Sequence, residues 1–444
     1  MWAGAMYRYM APAHSLCSGM GGDDRVGSPA EARARVPLRL VVILGALTAV
    51  GPLSVDMYLP ALPQLARDLS AGPVPAQLTL TSCVIGLALG QMVAGPLSDA
   101  WGRRRPLLIG LAAYAAASLL CAVAPTVETL IALRWVQGAA GAAGIVIGRA
   151  IVRDLYDGAA VARVFSLLML VTGLAPILAP IFGGQLLRVG PWPAVFVVLG
   201  CAGAALFLGA LLGLRETLPG ERRGDGGARG SLTTFRTLLA DWSFLGYALA
   251  SGTAFAAMFT YISGSSFVLQ DIYGLSPQEF SLVFGGNALG LVTAGQIGGR
   301  LVGRVRLSRL LAVGLAMLLT GGVGLVVMVL AGAGLAGVLP ALFLVVAAQG
   351  LIGPNAMALA LSGRPARVAG SASALIGLAM FSIGGCMAPL AGVAGPHTAV
   401  PMALVIAALA VAACSVALGT RPRRRGRPDR RGQRRADVGL PGEP

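Results

Sequence analysis

The sequence predicts an all-α integral membrane protein in which twelve transmembrane helices form two pseudo-symmetric six-helix bundles. The composition gives the first reason. Hydrophobic residues make up 56% of the 444 residues and charged residues only 12%, which excludes a chain of two or three soluble domains. The 63 glycines suit membrane helices, because small residues let helix backbones approach closely.

Twelve apolar segments give the second reason. At ~1.5 Å of rise per residue, each can cross a hydrocarbon core of ~30 Å or nearly so. We number them segments 1 to 12, and their predicted spans are 38–62, 76–97, 106–124, 129–149, 162–187, 193–214, 243–267, 279–300, 308–332, 336–360, 370–392 and 398–419.

A polar stretch rich in glycine, arginine and acidic residues separates the sixth segment from the seventh. The chain is therefore predicted to form a disordered cytoplasmic tail, a first bundle, a cytoplasmic linker, a second bundle and a basic cytoplasmic tail. These parts span residues 1–37, 38–214, 215–242, 243–419 and 420–444.

Internal repeats give the third reason. Segment 4 contains QGAAGAA from Gln137, and segment 10 contains QGLIGPN from Gln349, 212 residues later. Segment 5 contains LAPIFGG around Pro180, and segment 11 contains MAPLAG around Pro389. Duplicated helical bundles are typical of secondary transporters, whose substrate site lies between the halves near the membrane midplane.

The net charge of +16 comes entirely from arginine, since the chain has no lysine. If the N-terminus is inside, all but three arginines fall on the inner side. The exceptions are Arg67 and Arg188 outside and Arg134 within segment 4. The positive-inside rule explains this distribution, so nucleic-acid binding is not expected and both termini are predicted to be cytoplasmic.

Asp56 is the only acidic residue predicted to lie well inside a membrane segment. A charge there is costly and usually functional, although Asp56 could instead be a hydrated helix-end residue ~6 Å from Pro60. Arg134 is predicted at a similar depth as its partner, with Gln137 one turn deeper on the same face. A purely structural ion pair between segments 1 and 4 is the alternative.

The second half offers no acid that matches Asp56, and the position equivalent to Arg134 is Val346. Coupling chemistry is therefore predicted in the first half. The second half supplies candidate cavity residues, although aromatic side chains on a helix also serve packing. With Tyr58 from the first half, the candidates are Phe255, Phe259, Tyr261, Asn287 and Asn355.

The string GPLSDAWGRRRP, from Gly95 to Pro106, predicts a tight, charged inner turn in which Asp99 and Arg103 interact. This string resembles the loop signature of the major facilitator superfamily. RWVQGAAGAAG from Arg134 and PIFGG from Pro180 resemble its helix-4 and antiporter signatures. DMYLPALPQLARDL, RAIVRDLYDG and LAPILAPIFGGQLL together resemble the Bcr/CflA branch, which comprises bacterial drug:proton antiporters of the bicyclomycin-resistance type.

The resemblance implies alternating access by two rocking halves, export from the cytoplasm, and a proton gradient in place of a cofactor. It matches Asp56 to the acidic residue of helix 1 and Arg134 to the arginine of helix 4. Asp56, Arg134 and Gln137 are thus the candidate residues for proton coupling and substrate binding. The resemblance further assigns a conformational latch between the halves to Gly95, Asp99, Gly102, Arg103, Arg104 and Asp154, and an antiporter-type fifth helix to Pro176, Pro180, Gly183 and Gly184. Ala175 and Ala179 depart from the usual glycines of that helix.

The sequence thus predicts a monomeric, multi-pass transporter of the bacterial inner membrane that exports small amphipathic compounds. One charge moving through 100 mV supplies ~2.3 kcal/mol, and no GxxxxGK[ST] string indicates ATP. Two alternatives stay open: the same fold exporting a metabolite such as an amino acid or sugar, and a passive facilitator. An enzyme is not expected, because the chain has two histidines and neither GxSxG nor HExxH.

Overall fold

The computed structural model describes residues 38–156, 158–219, 236–364 and 369–419. Within these ranges twelve helices are long and apolar enough to cross a membrane, which confirms the predicted number. The predicted tails lie outside the described residues. The helices are α1 Leu38–Asp56, α2 Pro73–Trp101, α3 Arg104–Ala122, α4 Val127–Leu155, α5 Gly158–Leu186, α6 Pro193–Gly213, α7 Trp242–Phe267, α8 Pro277–Leu301, α9 Leu307–Leu330, α10 Gly334–Leu361, α11 Ala369–Met387 and α12 Val400–Gly419.

The first helix is interrupted where segment 1 was predicted to continue. α1 ends at Asp56, and a 3-10 turn (Leu59–Ala61) and a short helix (Leu62–Asp68) follow it. Pro60 and Pro63 explain the interruption, because proline has no N–H donor and disfavours a helical conformation in the residue before it. The interruption leaves backbone carbonyl groups without partners in their own helix.

The predicted inner turn between residues 95 and 106 is mostly helical. α2 extends through Trp101 and α3 begins at Arg104, so only Gly102 and Arg103 form the turn. Gly102 has a φ of 87°, a left-handed conformation that glycine adopts without strain. The glycine of this turn is therefore required by the backbone.

Glycines bring α2 and α4 into backbone contact. Gly86 and Gly90 on α2 face the backbone of α4, and Gly138 on α4 faces the backbone of α2. A Cβ atom on Gly138 would lie 2.9 Å from the carbonyl carbon of Cys83 and 3.0 Å from the nitrogen of Leu87. No larger residue fits there unless the helices separate.

The second half repeats this contact between α8 and α10. Gly350, which follows Gly138 by 212 residues, lies against the backbone of α8, where a Cβ atom would be 2.7 Å from the nitrogen of Gly295. The repeat predicted from segments 4 and 10 therefore corresponds to equivalent helix contacts in the two halves.

Hydrogen bonds between the halves lie at one end of the bundle. We call the end where α1 ends the arginine-poor end, and the opposite end, where α2 meets α3, the arginine-rich end. Backbone carbonyls in the turn after α1 accept two of these bonds. The contacts are Ser266 Oγ to the Leu59 carbonyl, Gln270 Nε2 to the Pro60 carbonyl (3.2 Å), Gln278 Nε2 to the Gly184 carbonyl (2.6 Å) and the Arg67–Asp271 ion pair (3.1 Å).

Candidate functional site

Asp56 lies at the last position of α1. Its side chain is the only buried acidic side chain among the described residues, with 6% exposure. The carboxyl group forms no hydrogen bond or ion pair within the described part of the chain. Three residues further along the chain, the Leu59 carbonyl accepts a hydrogen bond from Ser266 of the other half. The site therefore contains an unpaired, buried acid that is close in the chain to a contact between the halves.

Arg134 lies fully buried inside the first half. Its Nη1 donates to Gln137 Oε1, and its Nη2 donates to the Ser54 carbonyl at 2.8 Å. The guanidinium carbon lies 4.3 Å from the centre of the Tyr58 ring, a cation–π geometry. Its Nε has no hydrogen-bond partner. Polar and aromatic groups therefore hold this cation without a carboxylate from the described residues.

Gln137 connects Arg134 to α3. Its Nε2 donates to Ser118 Oγ at 2.7 Å. The hydroxyl groups of Ser54 and Tyr114 share a further hydrogen bond at 2.7 Å. These contacts form one polar network that ties α1, α3 and α4 together around the buried arginine.

The predicted ion pair between Asp56 and Arg134 is absent. Arg134 does lie at the depth of α1 that the sequence indicates, since it binds the Ser54 carbonyl. Ser54 and Tyr58 are four residues apart and share the face toward Arg134, whereas Asp56 is two residues from each and points elsewhere. Tyr58, predicted to line the cavity, is instead fully buried beneath the arginine.

Two of the predicted aromatic residues pack α7 against α11. The rings of Phe255 and Phe259 stack with their centroids 5.9 Å apart. Phe255 also meets Phe381 edge-on at 5.5 Å. These contacts correspond to the packing alternative for the aromatic residues.

Asn287 and Tyr261 form a buried polar pair between α8 and α7 of the second half. Asn287 Nδ2 donates to the Tyr261 hydroxyl group at 2.8 Å, and the Tyr261 ring stacks on Phe284 at 5.7 Å. Both Tyr261 and Asn287 are buried. This pair thus combines polar atoms with an aromatic surface.

The two halves differ at the position of the buried arginine. Gln349 on α10 corresponds to Gln137, but Val346 takes the place of Arg134. Without that donor, the buried Oε1 of Gln349 has no hydrogen-bond partner. Both halves therefore share the close helix contact, of α2 with α4 and of α8 with α10, but Arg134 of the first half has no counterpart in the second.

Arg103 is the centre of a charge cluster at the arginine-rich end. Its Nε donates to Asp154 Oδ2 at 2.9 Å, and its Nη1 donates to Asp99 and to Ser98 Oγ. Burial alone would lower the pKa of Arg103, but the hydrogen bonds that it donates to Asp154 and Asp99, together with their negative charges, hold that pKa above its ordinary value. All these partners belong to the first half, so the predicted latch does not join the two halves here.

Arg104 fixes the neighbouring corner of the first half. Its Nε donates to the Leu214 carbonyl at 3.0 Å, and its Nη2 donates to the Leu211 carbonyl at 2.8 Å, both at the end of α6. Glu216 accepts the backbone N–H groups of Arg103 and Arg104 at 2.8 and 3.2 Å. A carboxylate at this helix N-terminus is favourable.

Replacing Arg103 with glutamine is expected to lower thermal stability. The substitution leaves the mostly buried Asp154 without its cation. We expect the free energy of unfolding to fall by roughly 2–3 kcal/mol. This loss is smaller than for a fully buried ion pair, because Asp99, the other partner of Arg103, is half exposed. Thermal unfolding of purified protein measures the effect. Arg105→Gln is the control, since Arg105 has no ion pair among the described residues; equal losses in both variants would contradict the assignment.

The predicted glycine positions differ in how strictly the structure requires glycine. A Cβ atom on Gly183 of α5 would meet the carbonyl oxygen of Met57, just after the end of α1. On Gly184 it would lie 3.0 Å from the carbonyl oxygen of Pro277 in the other half. On Gly95 it would make only ordinary contact, at 3.7 Å. α5 itself runs without a break through its two prolines, Pro176 and Pro180.

The sequence analysis missed the polar contacts across the arginine-poor end. A π-helical turn, Val268–Ile272, follows α7 and carries Gln270 and Asp271 toward the extension of α1. Prolines near the end of segment 1 were the available signal, because they imply an interrupted helix. The donors in and just after segment 7 had no distinguishing pattern.

Twelve membrane-spanning helices in two repeated halves are typical of secondary transporters. A sequence model described as Major Facilitator Superfamily matches residues 44–389. The chain belongs to the Major Facilitator Superfamily.

Curated relatives agree with the resemblance to the Bcr/CflA branch. The chain is 42% identical over 376 residues to an uncharacterized MFS-type transporter, YdgK, of Bacillus subtilis, covering 84% of this chain and 93% of the relative. It is 32% identical over 371 residues to a bicyclomycin resistance protein homolog of Haemophilus influenzae, with the same shares covered. It is also 29% identical over 245 residues to the multidrug resistance protein MdtL of Escherichia fergusonii, covering 55% and 62%.

Solved structures share the fold at low sequence identity. A bacterial homolog of the human lysosomal transporter Spinster, in an inward-facing conformation, superimposes with a TM-score of 0.68 at 17% identity, covering 86% of this chain and 95% of that one. The nucleoside transporter NupG gives a TM-score of 0.70 at 11% identity, covering 86% and 98%. These likenesses concern the fold alone.

Proposed function

We propose that this transporter exports small amphipathic compounds in exchange for protons, and that Asp56 carries the proton. The unpaired, buried carboxyl group of Asp56 is the observation that supports this proposal most directly. An ionised carboxylate without a partner costs several kcal/mol in such a site. Asp56 is therefore neutral while the site is closed and releases its proton when the cavity opens to water.

Arg134 and Gln137 act as positioning residues in this proposal. Arg134 binds the Ser54 carbonyl and lies on the Tyr58 ring. Ser54 precedes Asp56 by two residues in the chain, and Tyr58 follows it by two. Together these contacts fix the rotation of α1, so that Asp56 faces the second half. Their contribution to coupling is thus indirect.

The substrate would bind between Asp56 and the polar pair of the second half. Tyr261 and Asn287 offer hydrogen-bonding atoms, and Phe284 adds apolar surface beside them. This combination suits compounds that are partly polar and partly apolar. Names of relatives that refer to bicyclomycin and multidrug resistance support a drug-like substrate.

The arginine-rich end would face the cytoplasm of a bacterial cell, with both termini on that side. The positive-inside rule supports this orientation. The hydrogen bonds between the halves then close the outer side, and the charge cluster around Arg103 lies on the inner side. In the alternating-access cycle of a monomer, these outer contacts must break before substrate can leave.

Removing the hydroxyl donor at the end of α7 and the amide donor in the π-helical turn after it is expected to favour opening of the arginine-poor end. In the variant Ser266→Ala/Gln270→Ala, the carbonyls of Leu59 and Pro60 lose their donors across the halves. At ~0.5–1.5 kcal/mol per bond, the population should shift roughly tenfold.

Double electron–electron resonance measures this opening as the distance between spin labels at positions 189 and 393. The labels are attached to cysteines that replace Val189 and Val393 in a cysteine-free background. Both positions are exposed, at 82% and 66%, and lie at the arginine-poor end of opposite halves. Ser415→Ala is the control, because Ser415 Oγ donates to a carbonyl of its own helix. An unchanged distance distribution in the double variant would contradict the gating role.

Transport in energised vesicles tests the proposed function itself. Efflux of amphipathic antimicrobial compounds should stop when an uncoupler removes the proton gradient. Efflux that persists down a substrate gradient would indicate a passive facilitator. Uncoupler-sensitive export of amino acids or sugars, with unchanged antimicrobial susceptibility on deletion, would instead indicate a metabolite exporter.

A further inference from the structure

A groove lies at the arginine-rich end, in the corner between the end of α2 and the first two turns of α3. Its volume is about 670 Å³, and it is lined by Ala100, Trp101, Arg105, Leu108 and Ile109. Trp101 is 54% exposed and Ile109 is 61% exposed. The groove thus presents one cation, one indole ring and aliphatic surface on the outside of the first half.

Arg105 differs from the two arginines that precede it. Arg103 binds Asp99 and Asp154, and Arg104 binds carbonyl groups at the end of α6. Arg105 forms no hydrogen bond or ion pair with any residue that the structure describes. Its guanidinium group is free to bind a ligand in the groove.

We propose that this groove binds the head group and upper acyl chains of an anionic phospholipid. Arg105 binds the phosphate, because a guanidinium presents parallel N–H donors that match phosphate oxygens. Trp101 lies at the height of the head groups, where tryptophan is enriched in membrane proteins. Leu108 and Ile109 contact the acyl chains below.

The spacing of the lining residues matches this arrangement. Ile109 follows Arg105 by four residues on the same face of α3, which places it ~6 Å deeper along the helix axis. This step leads from the level of the phosphates toward the hydrocarbon region. The volume is within the ~300–1,000 Å³ typical of ligand sites.

The lining favours a lipid over a soluble anion. Arg105 is the only charged side chain of the groove, and three of the other four lining residues are purely aliphatic. A soluble phosphate compound would leave this surface in contact with water, whereas acyl chains cover it. Basic pockets beside membrane helices are known to bind anionic head groups.

Native mass spectrometry of the full-length protein tests the proposal. Wild type and variants are equilibrated with equal amounts of phosphatidylglycerol and phosphatidylcholine, and the retained lipids are counted. We expect wild type to retain phosphatidylglycerol preferentially. We expect Arg105→Gln to lower that retention roughly fivefold, the ratio that corresponds to about 1 kcal/mol per arginine at a membrane surface.

Arg300→Gln is the matched control. Arg300 is exposed in the last turn of α8 at the same end of the bundle, but it does not line the groove. Unchanged retention in Arg300→Gln supports a specific site. Equal losses in both variants, or no loss in Arg105→Gln, would overturn it. Unchanged thermal unfolding of Arg105→Gln shows that the variant is folded.

Two further measurements identify the occupant. Brominated phosphatidylglycerol should quench tryptophan fluorescence less in Trp101→Phe than in wild type, whereas brominated phosphatidylcholine should show little difference. An excess of inorganic phosphate should not displace the retained lipid. Displacement by phosphate, or equal quenching by both brominated lipids, would refute the assignment to an anionic phospholipid.

Discussion

Asp56→Asn is expected to abolish the proton movement that accompanies drug efflux, while the protein stays folded and inserted. Asparagine has nearly the shape of aspartic acid but has no proton to release. The native carboxyl group forms no hydrogen bond or ion pair with the described residues, so the substitution removes no contact that stabilises the fold. The loss should therefore appear in coupling and not in thermal stability.

Vesicles that contain a pH-sensitive probe measure this effect when drug is added. Asp68→Asn is the matched control, because it makes the same chemical change at an exposed position of the α1 extension. Asp56→Glu should retain part of the proton release, since it keeps an ionisable group. If Asp56→Asn leaves both drug transport and proton release unchanged, Asp56 is a structural residue and the coupling proposal fails.

The sequence predicted the depth of Arg134 but not its partner. Depth follows from counting residues along a helix, which the apolar segments made possible. Pairing depends on the direction of each side chain, and Asp56 is two residues from both Ser54 and Tyr58, so it faces away from α4. α1 also ends at Asp56, so helical periodicity cannot be used to predict where the side chains beyond Asp56 point.

The charge cluster around Arg103 shows a second limit of prediction from sequence. The spacing of Asp99 and Arg103 correctly predicted that these two residues interact. The latch between the halves stays a prediction, because a single structure shows a single conformation. In this conformation the hydrogen bonds between the described parts of the two halves lie at the arginine-poor end.

The contacts at the arginine-poor end depend on backbone geometry that residue types do not reveal. Ser266 and Gln270 donate to the carbonyls of Leu59 and Pro60, in the turn where α1 is interrupted. Serine and glutamine are common on membrane helices, so neither stood out in or just after segment 7. Asp56 precedes these carbonyls by only three and four residues, which places the proposed proton site next to the contacts that must break.

Gly138→Ala is expected to destabilise the first half although it adds a single methyl group. The added Cβ would lie against the carbonyl group of Cys83 and the nitrogen of Leu87. These atoms belong to the backbone of α2, so no side chain can rotate away and the two helices must separate. Overpacking of this kind costs ~1–3 kcal/mol, and loss of the close approach also weakens the packing that holds membrane helices together.

Thermal unfolding in detergent measures this cost, with Gly209→Ala as the control. Gly209 lies within α6 and has no atom within 4 Å of the position of an added Cβ, so alanine there should be neutral or slightly stabilising through its higher helix propensity. Gly350→Ala should destabilise the second half in the same way, because its Cβ would meet the backbone of α8. If Gly138→Ala unfolds at the same temperature as Gly209→Ala, α2 and α4 are not in close backbone contact, and the contact repeated in the two halves does not stabilise the bundles.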